Sequence, residues 1–352
     1  MAATFKALGG NDTTTTRTLL HEAIPLTGTI VSGTYFLESS DTQTNIKRYG
    51  HGMWESVYDY PYLSSSANHI FDLTIGYSAQ SNLSGAANMQ NAKKINIYNQ
   101  MAQVLVGFDE NGLVRRFDQD GDHSGGNKIN EAFFINYARL LTKDEIKKGS
   151  YNITFYTAGT KQVPTTPVTF ADHGAATTYK TNSPAGDYSI LYTSSATPRA
   201  DGTSGKGLLY YQAGVAVLTS SIFLNNPFGP DNQYDKQFSS VRACMTGSLI
   251  TSSCEALRNL WRDNNFSNTT ELNSTVYFCR ANHNEFNYSS NPTYLSSSKL
   301  VVKNVSDDAP VSYVTTIGLY ADDNELVAVA KVSEPLKKDP TNELTLRVRL
   351  DY

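Results

Sequence analysis

The chain has 352 residues, a net charge of −4 and 18% charged residues, below the roughly 25% of ordinary soluble domains. It shows no basic stripe of the kind that nucleic-acid binders carry, and no apolar run approaches the roughly 20 residues of a membrane-spanning helix. Ser, Thr, Asn and 22 tyrosines take the place of the missing charge. That composition suits either a surface buried against other proteins or an all-β protein with polar loops.

The first residues, MAATFKALGGNDTTTT, lack the basic start and apolar core of a secretory signal, so synthesis and folding in a cytoplasm are expected. The first strand signal is TGTIVSGTYFLE at 27–38, rich in β-branched and aromatic residues. HIFDLTIGYS at 69–78 alternates more clearly. KKINIYNQMAQVLV at 93–106 predicts a helix with Ile97, Met101, Val104 and Leu105 on one face, stopped by Gly107. The 129–148 stretch predicts a second helix, with a stripe of Phe133, Phe134, Tyr137, Leu140 and Leu141 and lysines at its C-terminal end. Strand runs follow at 151–159 and 187–195. GLLYYQAGVAVLTSSIFL at 207–224 reads as one long strand or as two bent at Gly214. SCEALRNLWR at 253–262 predicts a short third helix with Ser252 or Ser253 as its cap. Further strands are expected at 274–281, 299–305, 311–320, 325–335 and 343–352, the last three forming a meander.

The expected fold class is therefore mainly β (α+β), with antiparallel sandwich-like sheets and three helices. The polar tracts 164–188 and 225–237 are candidate seams, the first giving an N-terminal part at 1–163 and a C-terminal part at 164–352, with long structured loops inside one assembly-type domain as the alternative. The lysine pairs Lys93–Lys94, Lys147–Lys148 and Lys337–Lys338 read as solvated element ends. Cys244, Cys254 and Cys279 are an odd, sparse set and predict free thiols.

Chemical motifs are few. DGDHSGGNKINE at 120–131 fits a calcium loop, with Asp120, Asp122, Ser124 and Glu131 as ligands and Gly125 at the turn. Against it stand the polar Asn127 where such loops carry an apolar residue, a preceding segment that reads as a turn and strand, and the lack of a sister loop. HGMWESVYDYPY at 51–62 gathers His51, Trp54, Glu55 and Asp59, residue types that line glycan-binding or glycan-cleaving clefts, although carboxylates this close in sequence also arise by chance. No nucleophile elbow, metal-binding HExxH or dinucleotide glycine fingerprint occurs. No catalytic residue, no cofactor and no resident metal is therefore expected. HNEFNYSSNPTYLSSS at 283–298 is too polar for a core strand and too aromatic for a free linker. Phe286, Tyr288 and Tyr294 in it are interface candidates, with an internal loop as the alternative.

Five stretches carry a family resemblance: VYDYPYLSSSANHIFDLTIG, EAFFINYARLLTKDEIKKGS, LLYYQAGVAVLTSSIF, NHNEFNYSSNPTYLSSS and the final VSYVTTIGLYADDNELVAVAKVSEPLKKDPTNELTLRVRLDY. Together they resemble virion structural proteins of contractile-tailed bacteriophages of the cyanophage and marine type, from about residue 18 to the end. The resemblance implies a tail, baseplate or neck component that is made in the host cytoplasm and located in the virion. Its partners would be other virion tail, baseplate or neck proteins, and the chain itself would be homo-oligomeric or present in multiples of six. Composition adds the expectation of no nucleic-acid and no membrane partner. A baseplate subunit is the first expectation. A neck, collar or fibre-attachment adaptor is the second, and a glycan-binding or glycan-cleaving tail protein is the rival from another class.

Overall fold

The computed structural model describes residues 5–28, 30, 36–37, 40–159, 164–193, 205–223, 241–287, 295–296, 299–300 and 310–352. The protein is mainly β and its ladders are antiparallel. It divides into two compact units, one of Leu20–Thr270 and one of the residues up to Leu19 together with Glu271–Tyr352. The expected seam at 163/164 instead falls inside the larger unit, between two strands paired from Asn152↔Ala171 to Gly159↔Pro164.

The strands, in chain order, are β1 (Thr13–Thr27), β2 (Ile46–Arg48), β3 (Glu55–Tyr58), β4 (His69–Tyr77), β5 (Glu131–Tyr137), β6 (Asn152–Gly159), β7 (Pro164–Ala171), β8 (Tyr188–Thr193), β9 (Gly207–Tyr210), β10 (Val215–Thr219), β11 (Trp261–Ala281), β12 (Ser312–Tyr320), β13 (Leu326–Lys338) and β14 (Leu344–Asp351). In the larger unit the sheet runs β11–β6–β7–β8–β9–β10–β5–β4–β3–β2. Among the described residues, three helices of more than one turn accompany it: α1 (Asn91–Leu105), α2 (Val241–Thr246) and α3 (Ile250–Leu260).

The centre of the sheet corrects the sequence reading. Residues 129–148 are not a helix. Glu131–Tyr137 is strand β5, held between β4 and β10, and only Arg139–Thr142 forms a helical turn. Phe133, Phe134, Ile135 and Tyr137 are all buried because both faces of β5 are covered. A strand covered on both faces reads as a continuous apolar run, which periodicity cannot tell from a buried helix. Each such side chain stabilises the fold by about 1.5–3 kcal/mol on burial. Leu140, placed in the same predicted stripe, is exposed.

The other two helices stand, with shifted faces and ends. In α1 the buried side includes Ile97, Tyr98, Ala102 and Leu105, while Val104 points to solvent. The helix ends at Gly107, whose φ of +84° suits glycine. It lies against β4 at Gly76, where an added Cβ would come within 2.7 Å of the Lys94 carbonyl and 2.9 Å of the Tyr98 nitrogen. The third helix starts at Ile250, three residues before the predicted start. Its first N–H donates to Gln90 Oε1 at 2.9 Å, so a distant glutamine takes the role expected of Ser252 or Ser253. Ser253 lies inside the helix and donates its hydroxyl to the Cys244 carbonyl.

The 207–224 segment is two strands, β9 and β10, turned at Gly214 with φ +66°. Most of the run predicted at 27–38, and 301–305 of the run predicted at 299–305, lie outside the described residues. The C-terminal meander is also corrected. β12 and β13 pair with each other, but β14 pairs with Ser274–Ala281 of β11 over eight positions. Alternation in 343–352 fixes which face is buried and leaves the partner open.

Only one lysine of each pair is a solvated end: Lys93, Lys147 and Lys337 are exposed, and their neighbours are not. Lys94 is fully buried and donates to the carbonyls of Met245 and Ser248, at 2.7 and 2.9 Å. Burial pushes its amine down to about 8. Lys148 bridges Glu145 and Asp187. Lys338 is fully buried and donates to Asn287 Oδ1 and to the carbonyls of His283 and Asp339.

Candidate functional site

Among the described residues, a close cluster of carboxylates sits on the loop that joins two short paired strands, Phe117–Asp118 and Lys128–Ile129. Phe117 and Ile129 are buried anchors. The phenol of Tyr98 on α1 clamps both strands, donating to the Ile129 carbonyl at 2.6 Å and accepting from the Phe117 N–H at 3.2 Å. Burial holds that phenol protonated well above its ordinary range.

Between the anchors the chain makes a compact loop. The Gly121 carbonyl accepts from Tyr188 Oη at 3.0 Å and from Asn182 Nδ2 at 2.9 Å. His123 Nε2 lies 3.1 Å from the Asn182 carbonyl. The loop also turns back on itself through its own carboxylates. Asp120 Oδ1 accepts from the Asp122 N–H, and Asp122 Oδ1 accepts from the Ser124 N–H.

These turns bring Asp118, Asp120 and Asp122 together, with one ligand oxygen of each within 4.8 Å of the others. Asp118 is buried, Asp120 half-buried and Asp122 exposed. Asp118 Oδ2 takes the ammonium of Lys128 at 2.7 Å, directly across the ladder. Asp118 Oδ1 is buried and has no hydrogen-bond partner. Burial pushes the Asp118 carboxyl up, Lys128 opposes that shift, and the neighbouring Asp120 charge adds to it. The Ser124 N–H holds Asp122 down.

The candidate ligands of a calcium loop are thus only partly assembled. Asp120 and Asp122 lie in the cluster, and the Ser124 backbone closes on it. Glu131 does not join. It begins β5, and its Oε1 accepts from the Ser81 hydroxyl. The helix that an EF-hand needs after the loop is a strand here. Asp118 was missed because the loop was read from Asp120. The D-x-D-x-D spacing of Asp118, Asp120 and Asp122 is the signal that could have found it.

The 51–62 carboxylates are not brought together. Glu55 is fully buried and paired with Arg258 and Arg48. Asp59 instead accepts from Asn68 N and Nδ2, closing a turn. The rings of His51 and Trp54 pack at a tilt of 45°, with centroids 4.2 Å apart.

A different polar site lies beside β7. Asp172 accepts from the Gly149 and Tyr151 N–H groups and from the Tyr211 hydroxyl, and lines a pocket with Ser150, Thr169 and His173. Burial raises its carboxyl to about 6, against the pull of those three donors.

Of the interface candidates, Phe286 is exposed and sits at φ +53° in a turn. Tyr288 and Tyr294 lie outside the described residues. The smaller unit offers an apolar surface that sequence reading did not single out. β12 and β13 form a two-stranded hairpin with one face half-buried and the other exposed among the described residues. Tyr320 and Leu326 meet across Gly318, Phe5 packs on Tyr320 at 4.7 Å, and Val329 is paired with Gly318. Phe5, Tyr320, Leu326 and Val329 are all about half exposed or more. Cys244, Cys254 and Cys279 are free thiols, and burial pushes Cys244 up to about 12.

No family model, no curated protein and no solved structure matches the chain.

Proposed function

We propose that the chain is a structural subunit of a contractile bacteriophage tail, placed in the baseplate and held there by neighbouring virion proteins. The observation that carries this reading is the β12–β13 hairpin. An isolated two-stranded hairpin is at best marginally stable in water. This one exposes Tyr320, Leu326, Val327 and Val329 on a strand pair whose outer edges have no partner among the described residues. Open strand edges and apolar patches of this kind suit burial against another protein.

Two further features agree with a non-catalytic role. Glu55 and Asp59, the carboxylates a glycan-cleaving site would use, are engaged in separate structural contacts. The resemblance in the five sequence stretches supplies the virion context.

Gradient-purified particles from the lysate that produces the chain provide the test. Peptides of the chain in those particles, with immunogold label at the distal end of the tail, are the expected result. Label at the head–tail junction would move the protein to the neck. Its absence from purified particles would overturn the structural reading.

A further inference from the structure

We propose that the loop between Phe117 and Ile129 binds one hard divalent cation, calcium by preference, through Asp118, Asp120 and Asp122.

Geometry is the first reason. Calcium–oxygen bonds are about 2.4 Å long, so two oxygens on one ion lie at most about 4.8 Å apart. The three carboxylates each offer an oxygen inside that limit. Oxygen-only ligands on a loop, graded from buried to exposed, suit an irregular calcium shell completed by water better than the strict octahedron of magnesium.

Asp118 Oδ1 is the second and independent reason. It is buried without a donor, a costly state for a carboxylate oxygen, and buried polar atoms nearly always find a partner. This atom also faces the cluster. The position of a Cβ on Gly126 lies 3.7 Å from Asp118 Oδ1 and 3.2 Å from Asp120 Oδ2. Gly126 is therefore the floor of a cradle that a side chain would fill, and its φ of +62° favours glycine as well. Lys128 satisfies only the other oxygen, Oδ2. One ammonium against three carboxylates leaves the loop two negative charges in excess. A divalent ion supplies the missing partner for Oδ1 and neutralises that excess, and the exposed Asp122 leaves it a way in.

The test uses the full-length chain stripped of metal with a chelator. Thermal melting is followed with and without millimolar calcium chloride, and terbium luminescence is excited through tyrosine, since Tyr188 bonds to the loop at Gly121. Calcium is expected to raise Tm by about 3 °C, by mass action on the folded state, and to displace the terbium signal. Asp122→Asn, a change at an exposed position that keeps an acceptor for the Ser124 N–H, should leave the chain folded in chelator while weakening calcium at least tenfold. Asp118→Asn should abolish binding. The proposal is overturned if calcium moves neither Tm nor terbium emission, which would make Lys128 the sole counter-ion. It is equally overturned if Asp122→Asn binds as the parent does.

Discussion

Arg258 and Glu55 form an ion pair at 3.1 Å in which neither side chain reaches solvent. The pair joins α3 to β3, and Arg48 completes it from the half-exposed side, at 2.9 Å from the other Glu55 oxygen. Breaking one partner of such a pair strands a buried charge, at a cost of about 3–5 kcal/mol. Arg258→Met is therefore expected to lower unfolding free energy by that amount in urea titrations. The double variant Glu55→Leu with Arg258→Met should recover most of the loss. Equal destabilisation in single and double variants would show that packing, not charge, sets the cost.

Asp172 gives a pH dependence with a defined sign. Its carboxyl titrates near 6 in the folded chain and near about 3.9 when unfolded. The folded state holds the proton longer, so this group's contribution to stability is present below about 4 and is lost as pH rises to about 6. The loss is on the order of 3 kcal/mol. Asp172→Asn should flatten the stability profile over that window relative to the parent. A parallel pair of profiles would rule this out.

Lys128 and a bound cation compete for Asp118. Lys128→Met should lower Tm in chelator, because Asp118 loses its remaining partner, and should enlarge the upward shift produced by calcium. A calcium shift unchanged from the parent would show that the ammonium does not oppose the ion.

Gly76 is where α1 touches β4 most closely. Gly76→Ala forces a methyl against the helix backbone, and overpacking of this kind typically costs about 1–3 kcal/mol. Denaturant unfolding measures it, and a cost below about 0.5 kcal/mol would mean that the helix shifts freely.

Val327→Asp and Val329→Asp lie on the open hairpin. They should leave Tm within about 1 °C of the parent and, on the proposed tail role, remove any capture of tail proteins in pull-down. A large loss of Tm would make the hairpin part of the smaller unit's own core.

The strand-rich class, the helix at 93–106 and the bend at Gly214 were legible because each has a local cause: alternation, a 3.6-residue stripe, a glycine at positive φ. What escaped was non-local. The AFFI run of β5 needs its covering neighbours before it can be told from a helix. The start of α3 depends on Gln90, more than 150 residues away in sequence. Lys94 and Lys338 look like ordinary surface lysines until the carbonyls that receive them are in place. Two of the three carboxylates of the acidic loop, Asp120 and Asp122, were visible. Asp118 looked like the end of the preceding strand, which it also is, and only the paired strands show it turned into the loop.

β11 belongs to both units, and it sets an order of events during synthesis. Everything in Leu20–Thr270 has been made once β11 begins to emerge, so the larger unit can close early. Ser274–Ala281 must wait for Leu344–Asp351, more than sixty residues later, a delay on the order of several seconds at ordinary translation rates. During that interval Ser274–Ala281 waits with an unpaired strand edge that other chains can capture. The smaller unit is thus the last part of the protein to form, and a product cut short before residue 344 keeps that edge open.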